Sequence, residues 1–137
     1  MRNTIYNSVH AVKAVNVTAI SANGNTDGTS VNLDQSGQDF RSVGMLIQMG
    51  AYTDGTYTLV PQESADNSSW SNVPADRVQG SAVLSAENTL GQIGVIPDPG
   101  TYPYIRIRVT AATVTSGGTV CGQILLGSPT KTPVAHS

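Results

Sequence analysis

Arg106 and Arg108 stand two residues apart in the segment YIRIRVTAA. On a strand that spacing projects both guanidinium groups from one face. Such a row either sits in water or grips carboxylates, since each guanidinium presents a planar fork that matches a carboxylate in bidentate fashion. Alternation alone does not choose between a solvated face and a partner subunit's carboxylates. A second candidate runs from Asn23 to Asp34, NGNTDGTSVNLD. Asn23, Asn25, Asp27 and Gly28 match the opening of a calcium loop, and Asp34 falls where a bidentate Glu would close it. Asp34 is one methylene short, however, and the loop lacks flanking helical patterns. An Asn/Gly-rich β-turn explains the same letters and is the preferred reading.

Residues for acid–base or nucleophilic chemistry are missing or badly placed. His10 and His136 lie in the two terminal segments, and no G-x-S-x-G elbow occurs. Asp54, Asp66 and Asp98 each sit in turn contexts (TDG, ADN, PDPG), where Asp caps its own backbone. No catalytic residue, metal ligand or cofactor site is therefore assigned. Trp70 and the tyrosines 52, 57, 102 and 104 could form a sugar platform, but core or rim packing is the preferred reading given the area each ring hides. Cys121, the single cysteine, lies in a strand-like run and is expected to be a buried, redox-silent small hydrophobe.

The elements that must position these residues are strands. Val and Thr are abundant and favour strands. Helix formers are scarce, with two Glu and two Lys in 137 residues. The most regular stretch is TYPYIRIRVTAATVTSGGTVCGQILLGSP (101–129). Ile105, Ile107, Val109 and Ala111 share one side. Val120, Gly122, Ile124 and Leu126 repeat the pattern after a Ser-Gly-Gly turn, which predicts an antiparallel hairpin with one buried face. In the first strand Val15, Val17 and Ala19 are expected on one face. The run FRSVGMLIQMGAY (40–52) predicts a long strand in which Gly44 or Gly50 marks a bulge or a close approach. The Asp54-Gly55 turn predicts a second hairpin into TYTLVPQES. Pro74 to Val78 suits one helical turn. Strands are expected near 13–20, 40–50, 56–62, 104–112 and 119–127.

About eight short strands with turn signals every ten residues or so predict an all-β fold, an antiparallel β-sandwich or jelly-roll-like barrel. The chain divides into an N-terminal arm (1–10) anchored by Ile5 and Tyr6, one β-sandwich domain (11–127) and a C-terminal tail (128–137). Only 12% of residues are charged and the net charge is −2. A chain this neutral reads as part of an assembly. The absence of a basic stripe argues against nucleic acid as a partner. No apolar run is long enough to span a membrane, and the opening residues lack the apolar core of a secretory signal.

Two blocks carry a family resemblance. DGTYTLVPQESADNSSWSNVPADRVQGS (54–81) has an Asp-Gly turn, a strand ending in Glu-Ser, an Asp-containing turn, an aromatic and a Val-Pro-Ala-Asp step. YIRIRVTAATVTSGGTVCGQILLGSP (104–129) has a Tyr-hydrophobic-Arg strand, a Gly-rich turn and a final Leu-Gly-x-Pro. With the preceding FRSVGMLIQMGAYTDG (40–55), these resemble the small head proteins of tailed phages that decorate or cement the capsid. Gly-Thr-Tyr-Pro (100–103) departs from the family's basic step there, and the tail lacks its basic stretch.

The resemblance implies a non-enzymatic virion protein on the outer surface of the phage head, made in the host cytoplasm. Its implied partners are the major capsid protein and further copies of itself, as a trimer or dimer, with no small-molecule substrate. Ile5, Tyr6, Arg106 and Arg108 are the expected interface residues, and the arm is expected to order on binding. A carbohydrate- or host-surface-binding module and a tail or neck component are the competing expectations.

Overall fold

Alternate apolar residues give each strand one oily side, and two such sheets face to face bury both. The computed structural model, which describes residues 10–35, 38–98 and 100–129, builds this arrangement. Among the described residues twelve strands form in chain order: β1 (His10–Ile20), β2 (Gly24–Asp27), β3 (Val31–Asn32), β4 (Asp34–Gln35), β5 (Gln38–Tyr52), β6 (Thr56–Ser64), β7 (Ser71–Asn72), β8 (Val78–Gln79), β9 (Val83–Leu84), β10 (Leu90–Val95), β11 (Tyr104–Ala112) and β12 (Gly118–Pro129). Several are two-residue pairings, which explains why about eight were legible in the sequence. Pro74 precedes a short 3₁₀ turn, Ala75–Arg77, where its fixed φ suits the entry.

The first sheet has the order β1-β12-β5-β10-β8, with β4 against the start of β5. The second has the order β2-β11-β6-β7, with β3 on β11 and β9 on β6. Every pairing is antiparallel. The minor strands share positions: β2 with β3, and β7 with β9. With the two-residue β4 and β8 set aside, eight principal positions remain, four in each layer, in the double Greek key order of a jelly roll. Between the sheets lie Ile47, Met45, Ile105, Ile107, Ile124 and Leu126, all at 0–1% exposure.

Both predicted hairpins are corrected. β5 and β6 lie in different sheets, as do β11 and β12. The Asp54-Gly55 and Ser116-Gly117 links therefore cross the sandwich rather than turn within a sheet. A two-residue type I′ hairpin needs positive φ at both central residues. Here Gly55 takes φ 102° while Asp54 stays in the ordinary region. A crossing and a hairpin place the same alternate residues toward the core, so the alternation could not separate them.

The face assignment in β1 is also corrected. Val15 is buried but Val17 is 76% exposed. The pairing of β1 with β12 shifts between Lys13 and Val15 and again between Val15 and Thr18. Each bulge resets which side a residue faces. In β5 the irregularity falls between Met49 and Tyr52, the stretch that holds Gly50. Gly44 sits in regular pairing, with Leu125 Cβ 3.7 Å from the place its own Cβ would occupy.

Candidate functional site

The outer face of the second sheet carries the arginine row. In register, Arg108 lies opposite Asp27 of β2 on one side and Val60 of β6 on the other. Arg106 lies opposite Gln62, which in turn lies opposite Asn72 of β7. Arg108 Nε donates to Asp27 Oδ1 at 2.6 Å, and its Nη2 donates to Oδ2 at 3.3 Å. Arg106 Nη2 stands 3.5 Å from Asp27 Oδ2, and its Nε donates to Gln62 Oε1 at 2.9 Å. Gln62 passes the chain on by donating Nε2 to Asn72 Oδ1 at 2.9 Å. The Arg106 guanidinium also lies over the Trp70 ring, 4.3 Å from its centroid. That contact adds cation–π attraction and covers one face of the indole.

The row is thus a four-strand polar network rather than a pair of solvated side chains. Its carboxylate is Asp27 of the same chain. The bond from Arg108 is the main reason Asp27 is held below its ordinary pKa of 3.8. Asp27 in turn pushes Arg108 further up, whereas burial pulls Arg106 down against the attraction of Asp27. One carboxylate faces two guanidinium groups, so the network keeps one positive charge at neutral pH. Its guanidinium groups can donate to a further acceptor, while the Asp27 carboxylate is tied up by both of them.

Asp27 lies on a strand, not in a loop, which removes the basis of the calcium reading. Asn25 accepts from Thr110 Oγ1 at 2.9 Å, and Asn23 Oδ1 accepts the Val114 N–H at 2.8 Å. Ile5 and Tyr6 lie outside the described residues, as does the rest of the arm before residue 10. Cys121 is corrected from buried to half-exposed. Val120 and Gly122 point inward, so the residue between them faces out. Among the described residues, no group of three or more His, Cys, Asp or Glu side chains could hold a metal.

Two further charged features escaped the sequence reading. Asp54, at the β5–β6 crossing, accepts the backbone N–H groups of Thr115, Ser116 and Gly117 at 2.9–3.1 Å and so ties one crossing to the other. In return Thr53 N–H donates to the Gly117 carbonyl at 2.9 Å. The buried Tyr57 donates its hydroxyl to the Asp54 carbonyl, and Tyr52 donates to that of Gly55. The other feature is a nearly buried ion pair, Glu63–Arg77, at one end of the sandwich. Neither was legible, because each joins residues far apart in sequence.

Asp54 is held below 3.8 by the N–H groups of Gly117, Thr115 and Ser116. Asp66 is held lower still by Ser69, Ser68 and Ser64. A depressed folded pKa gives stability that is fully present above the unfolded value and is lost as pH falls through the folded one. The urea midpoint is therefore expected to stay flat from pH 7 to about 5 and to drop progressively below about 4. Asp54→Asn keeps the shape, removes one titration and should flatten that drop. An unchanged acid slope would show that Asp54 contributes nothing to it.

The fold and face together define a jelly-roll β-sandwich with a fixed polar network on one outer face. No protein-family model and no curated protein matches the sequence. Among solved structures the chain is similar to PBSX exported protein XepA, with TM-score 0.60 and 16% identity over 85% of this chain and 36% of that one. It is also similar to the infectious bursal disease virus VP2 subviral particle, with TM-score 0.53 and 10% identity over 87% of this chain and 32% of that one. The chain spans about a third of the length of these proteins. At such identities the likeness is one of fold.

Proposed function

We propose that this chain is a non-enzymatic structural protein of a tailed-phage particle, which decorates the outer surface of the head and cements it by bridging neighbouring copies of the major capsid protein. The observation that carries this reading is the jelly-roll strand order, a common architecture of viral capsid domains and one shared with a protein that forms a subviral particle. The two phage-like blocks of sequence point the same way. The action is adhesive. Each contact is modest, but many copies spanning adjacent subunits act at high effective concentration.

In this reading the Arg106/Arg108 row is the shell-facing surface, and its uncompensated positive charge takes a capsid carboxylate. Ile5 and Tyr6 of the arm add apolar anchors. The sugar-binding alternative is weaker because Arg106 already occupies one face of Trp70.

The test is co-purification. The protein should sediment with intact heads in many copies per particle, and Arg106→Ala/Arg108→Ala should weaken its binding to them by at least about thirtyfold. That is the lower end of what truncating one side of a desolvated charge pair costs. Recovery with tails or necks instead would move the protein to that part of the particle. Binding to neither, with binding to glycans, would replace the proposal.

A further inference from the structure

The two outer faces of the sandwich differ sharply. The second sheet presents the charged network described above. The outer face of the first sheet carries little charge: among the residues of this sheet whose side chains are described, Lys13 is the one charged group. The row Lys13, Gln123, Leu46 and Gln92 carries that lysine at its β1 end, and two others are neutral. Leu90, Gln48 and Cys121 form one, and Gly94, Gly44, Leu125 and Ala11 form another. Val17 is 76% exposed and Leu90 61%. Val17 lines a shallow hollow with Cys121 and Gln48, while Gly44, Gly94 and Gly127 floor a trench beside Leu125. Glycines in such a row leave the backbone open to close approach. Water gains little from this surface, and apolar patches of this kind mark interaction sites.

We infer that the outer face of the first sheet is the self-association surface of this protein, where two copies pack sheet to sheet about a two-fold axis. Charge selects this occupant. Lys13 sits on the edge strand β1, so a two-fold axis along the strands sets it over the far edge of the other copy and keeps the two lysines apart. Joined through the second sheet, they would set Arg106 and Arg108 against their own counterparts, which is costly across an interface. The size is sufficient. Five strands at about 4.8 Å spacing and about eight residues of β12 at about 3.3 Å per residue give roughly 500 Å² of flat sheet per copy, or about 1,000 Å² for the pair. That is the lower bound for a specific interface, and side-chain relief adds to it. Face-to-face sheets also pack well at about 10 Å separation with a small twist between them. A self-complementary contact of this type closes on itself as a dimer and leaves the arginine faces pointing outward on both sides.

The test uses the full chain. Sedimentation equilibrium across submicromolar to several hundred micromolar protein should show the mass rising from one chain to two. Leu46→Arg places a charge mid-sheet on a side chain that already faces outward, and it should weaken self-association at least tenfold. Gln48→Glu with Gln92→Glu, both at exposed sites, gives the same reading should Leu46→Arg fail to fold. Arg106→Ala/Arg108→Ala should leave the dimer intact. Cys121 supplies an independent readout. Its labelling by a small thiol reagent should slow at least tenfold as the dimer forms, and Leu46→Arg should label fast at every concentration.

A wild-type chain that stays monomeric throughout overturns the inference. So does a dimer that survives the face variants and is lost with the arginines. If the face variants lose particle occupancy while the free protein is monomeric, the face belongs to the shell and not to a second copy. The inference stands apart from the proposed function: a dimer that ignores phage heads overturns only the latter, and a monomer that decorates them overturns only the former.

Discussion

Replacement of Arg77 by Ala is expected to lower the unfolding free energy by about 3–5 kcal/mol, the usual result of stripping one partner from a buried ion pair. Glu63 lies on the core-facing side of β6 with Tyr57 and Leu59, and its side chain is only 4% exposed. Arg77, at the end of the 3₁₀ turn, reaches it and also donates Nη1 to the Ile96 carbonyl at 3.1 Å. The Ile96 N–H returns a bond to the Arg77 carbonyl at 2.8 Å. One side chain thus joins β6 of one sheet to the strand end of the other. Without it Glu63 is a buried charge with its counterion gone. The double variant Glu63→Leu/Arg77→Met, which removes both charges and keeps the volume, should recover most of the loss, because the pair itself contributes little beyond satisfying each member. Urea denaturation of the two singles and the double closes the cycle. Additive losses would mean that the two residues act independently.

Gly117→Ala is the second severe change. Gly117 takes φ 96°, a region that costs an L-residue roughly 1–3 kcal/mol. Its backbone is held on both sides, with its N–H on Asp54 and its carbonyl accepting from Thr53. An added Cβ would fall 1.7 Å from the Ile20 carbonyl oxygen, so the end of β1 must move away. Overpacking of this kind adds about 1–3 kcal/mol more. Gly80→Ala separates the two contributions. Gly80 also has positive φ, at 83°, but its nearest neighbour is 3.9 Å from the new atom. Gly80→Ala should therefore show the conformational loss alone, and Gly117→Ala clearly more. Equal losses would show that Ile20 yields freely and that the crossing is not tightly held.

The candidate site was half legible. Strand spacing put Arg106 and Arg108 on one face, and that holds. Asp27 was visible as a carboxylate but was weighed against a metal, since the register that sets it opposite Arg108 links positions 81 residues apart. Gln62 and Asn72 drew no notice, because a polar side chain on a strand means little until its cross-strand neighbour is known. Cys121 was misjudged by residue type, although the alternation of Val120 and Gly122 already placed it outward.

The sequence by itself determined the class of the fold, the five long strands and the core residues of β11 and β12. Alternation is a local property: it follows from the two-residue repeat of a strand and survives whatever partner the strand finds. Tertiary structure alone decided the partners. A hairpin and a crossing bury the same residues, so nothing in 40–64 or 104–129 distinguishes them until the layers form. The double Greek key then sends each strand to a distant neighbour, Asp54 locks the two crossings together, and bulges in β1 turn Val17 outward. Those choices depend on how two sheets close over one shared core, which no local window of residues contains.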